Sequence, residues 1–288
     1  MVNVVITGKN SYIGNHIKDW LMKDGNFHVK CVSVYDEEVD SLDFTSIDAI
    51  MHVAALVHRK DIKEWNLYEK INIDLTEKLA RKAKQAGVKH FVFMSSMAVY
   101  GADKSLLNHI EIDKNAPLLP SSFYGKSKLE AEQKILDMED ESFFVSIVRP
   151  PNVYGKDCKG GYVRGYKTIV RVLPVIPCAF PNITQSMLYI DNLSELCRLI
   201  LINQVRGIFT PHDVTSVSSV ELMKGIAAGI GKKRYWSRVL GKIVELFPKN
   251  KLVLKGYGGI AYSDEVTNCF DNQYVVVPFE EAIRRTVD

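Results

Sequence analysis

The sequence predicts an α/β fold, a doubly wound parallel sheet with a smaller, mostly C-terminal second domain. Three observations carry that prediction. Short apolar runs, suited to strands buried on both faces, alternate with amphipathic helical runs through the first half of the chain. The first apolar run ends in a glycine turn, Thr7-Gly8 to Gly14, that opens directly into a helical pattern. After Arg149 the texture changes, because Arg149-Pro150-Pro151 breaks regular structure and irregular stretches follow. The expected division is a sheet domain over 1–151, with 186–205 returning to it, and a second domain from 152–185 and 206–288.

Val2–Thr7 is a nearly continuous apolar run and reads as a buried strand. Ile13, Ile17, Trp20 and Leu21 fall at helical spacing, with Gly25 the expected C-cap. Residues 28–34 and 49–54 read as the next strands. Residues 72–86 form an amphipathic helix stopped by Gly87; 88–94 is a strand, 122–138 a helix and 143–148 a strand. Residues 155–165 are rich in glycine and lysine, and 174–181 is a proline-punctuated loop. Tyr189-Ile190-Asp191-Asn192 starts a helix with Leu193, Leu196, Leu199 and Ile200 on one face. Ser218-Ser219-Val220-Glu221 is a capping box for a helix through Ala228. The run 232–255 is basic and apolar together. A membrane-surface helix is one reading of it; the ordinary and expected one is an amphipathic helix packing on its own domain.

The bulk numbers exclude several classes. At 288 residues, 47% hydrophobic and 25% charged, the chain is an ordinary globular protein, and a net charge of +3 gives no reason to expect nucleic-acid binding. The five cysteines have no close pairs and read as reduced thiols, with no metal-ligand spacing among them. The apolar stretch 169–181 is cut by Arg171 and three prolines and is not expected to span a bilayer. Residues 1–7 run into the glycine turn as a first strand would, so no targeting segment is expected, and the expected location is cytoplasmic.

Chemistry is concentrated in three places. In Ser122-Phe123-Tyr124-Gly125-Lys126-Ser127-Lys128, Tyr124 and Lys128 stand one helical turn apart on one face. An ammonium there favours the phenolate, and a phenol brought toward neutrality can exchange a proton with an alcohol or ketone oxygen. Upstream lies Ser95-Ser96, whose Ser96 would hydrogen-bond the same oxygen. The glycine turn places Gly8, Asn10, Ser11, Tyr12, Ile13 and Gly14 where a helix N-terminus meets a pyrophosphate. Ser11 holds the place of the usual middle glycine. Asp36 and Glu37, just beyond the second strand, leave open whether the ribose is that of NAD or NADP.

The stretches ITGKNSYIG, MHVAALVH, NIDLTEKLARKAKQAGVKHFVFMSSMAVYG, YGKSKLEAE, IVRPPNVYG, MLYIDNL and FEEAIRRTV together resemble the extended short-chain dehydrogenase/reductases, the NAD-dependent epimerase/dehydratase family of nucleotide-sugar enzymes. The resemblance covers nearly the whole chain. It implies a Rossmann-like domain binding NAD(H) or NADP(H), with Ala54, Ala55 and Leu56 beside the cofactor, Asn72 bracing the sheet, and Pro151 also in the cofactor set. It implies Ser96, Tyr124 and Lys128 as the catalytic group, with Lys128 also holding the nicotinamide ribose. It places Asn152 at the substrate's diphosphate and Met97 beside the sugar, in a cleft between the two domains.

Two departures refine this. Dehydratases of the family carry an Asp-Glu pair after the catalytic serine or threonine; here Met97 and Ala98 stand there, and neither moves a proton. Many relatives place an arginine on the diphosphate where this chain has Gln185, which a neutral amide does not replace; Lys159, Arg164 or Lys167 is the expected substitute. The function expected is action at C4 of a nucleoside-diphosphate sugar, UDP-linked, in surface-polysaccharide precursor synthesis. A 4-ketoreductase is preferred, with a 4-epimerase holding NAD tightly as the alternative. A non-catalytic dinucleotide-binding sensor or structural subunit is the rival from another class. No metal, nucleic acid or membrane span is expected, and a homodimer is the oligomer considered.

Overall fold

Six parallel strands carry the first part of the chain: β1 (Val2–Thr7), β2 (Phe27–Val32), β3 (Ala49–His52), β4 (His90–Met94), β5 (Phe144–Val148) and β6 (Gly207–Phe209). They lie in the order β6-β5-β4-β3-β1-β2, every neighbour parallel. The computed structural model describes residues 1–34, 36–57, 64–158, 161–267 and 269–288. The order reverses between β1 and β3, the switch point outside which such sheets bind ligands. Thr7 pairs with both Val32 and His52, so β1 and β3 end level at that point. Every residue of β3 and β4 is buried, as their continuous apolar sequences require, while the edge strand β2 alternates.

Helices α1 (Tyr12–Asp24), α2 (Leu75–Gln85) and α3 (Phe123–Leu136) belong to this sheet. Gly25 caps α1 at φ 73°, the left-handed conformation its position predicted. The expected helix over 72–86 is α2 preceded by a π-turn, Glu69–Asp74, which puts Asn72 on a wider turn than α-helix spacing allows. Val5, Ile50, Phe91, Phe93, Val145 and Ile147 of the strands pack against Leu79 and Ala83 of α2 and Ala131 and Ile135 of α3.

The chain divides into two compact units, one of residues 1–101, 117–150 and 193–211, the other of 102–116, 151–192 and 212–288. The sequence boundary at 151 falls one residue from this division, and the returning segment is 193–211 where 186–205 was expected. The inclusion of 102–116 was not foreseen. It follows from pairing: Glu111–Ile112 runs parallel with Ala261–Tyr262, and Ser105 bridges Gly259. The second unit carries α4 (Gly161–Val172), α6 (Ser219–Gly229), α7 (Arg238–Glu245), α8 (Lys251–Tyr257) and α9 (Phe279–Val287), while α5 (Ile190–Asn203) begins in the second unit and ends in the first. The glycine- and lysine-rich stretch over 155–165 is partly helix, contrary to its composition, because Val163, Tyr166 and Val170 bury one face of α4. The capping box of α6 forms as read, Ser218 and Glu221 capping each other reciprocally.

One buried ion pair ties α3 to the sheet. Arg149, just past β5, donates from Nε to Glu132 Oε1 at 3.0 Å and from Nη2 to Oε2 at 2.6 Å, and its Nη1 donates to the Tyr100 hydroxyl at 3.0 Å. Ser95, at the end of β4, donates its hydroxyl to the same carboxylate. The side chains of Arg149 and Glu132 are 5% and 2% exposed. Arg149→Met leaves a buried carboxylate without its cation and is expected to cost about 3–5 kcal/mol of unfolding free energy, read from the urea midpoint. A loss below about 1 kcal/mol would show that the pair behaves as a surface bridge does.

Candidate functional site

The glycine turn is built for close approach. Gly8 sits at φ 89°, and a Cβ there would lie 3.2 Å from Ser11 Cβ and 3.4 Å from the Ala54 backbone. A side chain at Gly8 would therefore be strained and would fill the space between the turn and the loop after β3. Ser11 explains how the motif does without its middle glycine: it is the N-cap of α1, its hydroxyl accepting from Gly14 N at 3.2 Å, so the side chain turns back onto the helix. The first turn of α1 carries no acid to oppose an anion. These features fit a dinucleotide pyrophosphate. Tyr35 lies outside the described residues, and Asp36 begins a short helix, Asp36–Ser41.

From this turn a buried hydrogen-bond chain runs across the sheet ends. Thr7 Oγ1 accepts from the backbone N–H groups of Val53 and Ala54 at 3.1 and 3.2 Å, so its proton goes to His52 Nδ1 at 2.7 Å. His52 Nε2 then donates to Thr76 Oγ1 at 2.9 Å, and Thr76 donates to the Asn72 carbonyl at 2.7 Å. The Asn72 side chain accepts from Leu56 N at 2.7 Å and donates to Leu56 O at 3.0 Å and Ser127 Oγ at 2.9 Å. Ser127 donates onward to the Tyr124 carbonyl at 2.9 Å. Burial, with help from the Lys128 charge, pushes His52 down to about 3, which keeps the ring neutral with one N–H, as the chain requires.

Ser96, Tyr124 and Lys128 come together where β4 ends and α3 begins. Ser96 caps the short turn Met97–Tyr100, and Ser122 caps α3. Gly125 lets the two meet: a Cβ there would lie 2.3 Å from the Ala98 carbonyl oxygen. Tyr124 is half-buried as a residue, and the crowding around its hydroxyl pushes the phenol up to about 12, while a hydrogen bond with Ser96 pulls the other way. The sequence expectation was the reverse direction, with Lys128 drawing the phenol down. Lys128 is held elsewhere: its ammonium donates to the Met94 carbonyl at 2.7 Å and lies 4.4 Å from the centre of the Phe93 ring. Burial pushes its own pKa down to about 7, against the pull of Glu132.

The remaining expected residues fall in the second unit. Asn152 and Arg164 line one cavity of about 350 Å³ together with Lys156 and Lys167. Lys159 lies outside the described residues. Pro151 is half-buried. Gln185 is 2% exposed, and neither polar atom of its amide has a hydrogen-bond partner among the described residues. Sequence reasoning missed the roles of Thr7, His52, Thr76, Ser127, Glu132 and Arg149. Only Glu132 left a local signal, one helical turn beyond Lys128 on the same face. Among the described residues no cluster of metal-ligating side chains occurs, and no helix is long and apolar enough to cross a membrane.

Residues 4–173 match the model of the NAD dependent epimerase/dehydratase family. The chain is 27% identical over 258 residues to the UDP-glucose 4-epimerase of Vibrio cholerae, covering 80% of this chain and 76% of that one. It is 26% identical over 249 residues to the N-acetyl-α-D-glucosaminyl-diphospho-ditrans,octacis-undecaprenol 4-epimerase of Escherichia coli O157:H7, covering 80% and 73%. The solved UDP-glucuronic acid 4-epimerase of Bacillus cereus, in complex with NAD, shares the fold with a TM-score of 0.75 over 100% of this chain and 96% of that one, at 18% identity.

Asn72→Ala removes all three side-chain bonds of this residue and leaves the Leu56 N–H without its acceptor. The expected result is faster hydrogen exchange at Leu56, with a loss of roughly 1–3 kcal/mol in stability. An unchanged Leu56 exchange rate would mean that the loop after β3 is held by something other than Asn72.

Proposed function

This chain belongs to the NAD dependent epimerase/dehydratase family, and from that premise we propose that it acts at C4 of a hexose carried on a diphosphate, using NAD(H) or NADP(H). The observation that carries the reading is the convergence of Ser96, Tyr124 and Lys128 at the end of β4, joined through Asn72 and Thr7 to a turn that fits a dinucleotide. The turn from Gly8 to Gly14, the loop Ala54–Leu56 and Lys128 are the groups assigned to hold the cofactor. The nicotinamide, when bound, supplies the donor or acceptor of hydride. Tyr124 gives or takes the proton at the C4 oxygen, and Ser96 hydrogen-bonds that oxygen as its charge changes. In the second unit we assign the diphosphate to the cavity of Asn152, Lys156, Arg164 and Lys167, whose cations answer the neutral Gln185.

The finer assignment is 4-epimerisation, because two relatives matched over four-fifths of the chain, at 27% and 26% identity, are 4-epimerases. It is ranked above the 4-ketoreductase preferred from the sequence. The reductase keeps one observation in its favour: a phenol pushed up to about 12 is protonated at neutral pH, the state that gives a proton to a ketone. UDP is the first carrier to assay. An undecaprenol diphosphate is the second, because one of those two relatives is named for action on a diphospho-undecaprenol sugar.

Three outcomes test this. Incubated with UDP-hexoses and their 4-keto forms, the protein is expected to form C4 epimers with no net use of NADH or NADPH; stoichiometric consumption with the 4-keto sugar alone marks the reductase. Tyr124→Phe is expected to lose at least ~100-fold in turnover with cofactor affinity little changed, as deletion of a positioned acid does, and near-normal turnover sinks the mechanism. No 4-keto-6-deoxy product is expected from any UDP- or dTDP-hexose, since Met97 and Ala98 follow Ser96 and the turn through Tyr100 holds no acid. Loss of one water by mass would overturn that.

A further inference from the structure

The run 232–255 holds eight lysines and arginines against a single acid, in a chain whose whole net charge is +3. The rest of the molecule is therefore net acidic, and the positive charge is local. The same run is apolar on the outside. Val239, Ile243 and Leu246 follow one face of α7 at helical spacing, and they are 72%, 50% and 74% exposed. Phe247 and Leu252, at the turn into α8, are 57% and 80% exposed. The expectation that this segment buries its apolar face on its own domain is not met.

The reason lies on the opposite face. Gly241 is the buried residue of α7, and a Cβ there would stand 2.0 Å from the Cys178 carbonyl oxygen. The helix is thus seated by its glycine side, which turns the branched side chains outward. Ser237 caps α7, its hydroxyl accepting from Leu240 N. Asn250 caps α8 by accepting from Leu252 N and Val253 N, and Phe247 N bonds to Val244 O across the turn. The exposed apolar tip is held in place by these bonds. The one acid, Glu245, faces away from this role, accepting from Phe180 N at 2.8 Å. Lys242, Lys249, Lys251 and Lys255 are all exposed around the apolar residues.

An apolar strip flanked by lysines matches the chemistry of an anionic bilayer surface, acyl chains below and phosphate headgroups around; the exposed Asp103, which lines a cavity with Lys251, Leu252 and Lys255, leaves the local balance cationic. A protein partner would have to be both apolar and strongly acidic to match it as well. We propose that α7 and α8 dock this chain on an anionic membrane surface, lying in the interface and not crossing it. The inference rests on this face alone and stands apart from the reaction assigned above.

The test is co-sedimentation of the full chain with vesicles of mixed phosphatidylglycerol and phosphatidylcholine, and of phosphatidylcholine alone, at low and high salt. Binding is expected to the anionic vesicles, to weaken in salt, and to be much poorer on phosphatidylcholine. The double variants Leu246→Gln with Phe247→Gln, and Lys249→Glu with Lys251→Glu, are each expected to reduce partitioning at least ~10-fold, with thermal unfolding and the epimerase assay in detergent solution unchanged. Absence of wild-type binding to anionic vesicles, or binding that neither variant weakens, overturns the proposal. So does a dimer in sedimentation velocity that the Leu246→Gln, Phe247→Gln variant dissolves, which would make the face an interface between two copies of this chain.

Discussion

A single buried polar chain, from Thr7 through His52, Thr76, Asn72 and Ser127 to the Tyr124 carbonyl, fixes the arrangement on which the site depends. Its members lie where water does not reach, so each donor must find its acceptor inside the protein. The demand propagates. The backbone N–H groups of Val53 and Ala54 both donate to Thr7 Oγ1 and so force its proton toward His52, which fixes the tautomer of the ring, which in turn makes Thr76 an acceptor there and a donor to Asn72. A break at any point orphans a neighbour. The glycine turn after β1 and the backbone of α3 are therefore held in one register through this chain.

The Glu132–Arg149 pair holds the same helix from a second direction. A buried ion pair adds little net stability, since desolvation offsets most of its attraction, but losing one partner is costly. Its value here is positional: the carboxylate collects Ser95 from β4 and Arg149 from β5, so α3 cannot slide along the sheet. Lys128 lies between the two clamps, one turn from Glu132 and one turn from Tyr124. Burial drives its pKa to about 7, close to neutrality, and its ammonium is spent on the Met94 carbonyl and the Phe93 ring. The pairing of Tyr124 with Lys128 that the sequence shows is thus a pairing by position. The electrostatic coupling is opposed in this state by the burial of both groups.

Much of this was legible in the sequence wherever the signal was local. Continuous apolar runs gave the strands, Gly25 and the Ser218–Glu221 box gave helix ends, and the closeness of Ser96 to Tyr124 was expected from the short polar runs that carry them. The polar chain was not readable. His52 and Thr76 are 24 residues apart and Asn72 and Ser127 are 55 apart, and only the sheet brings them together. The π-turn at Asn72 and the helix α4 were missed for different reasons. A π-turn has no spacing signature of its own, and glycines diluted the pattern of Val163, Tyr166 and Val170. The segment 232–255 was misread because periodicity shows that a helix has an apolar face and says nothing of what that face meets. Here Gly241, a residue with no side chain, decided the matter by fitting against Cys178.

Gln185 holds a buried amide in the second unit. Its amide is buried with nothing to bond among the described residues, a state that costs about 1–3 kcal/mol. A leucine or methionine would fill the same volume without that cost, so packing alone does not account for an amide at this position. A neutral amide offers donors and an acceptor where an arginine would offer a fixed charge, which suits a group with hydroxyls or amides better than a bare diphosphate. The cations at Lys156, Arg164 and Lys167 stand in a separate cavity. If, as proposed, they take the phosphates, anion binding in the second unit needs no cation at 185.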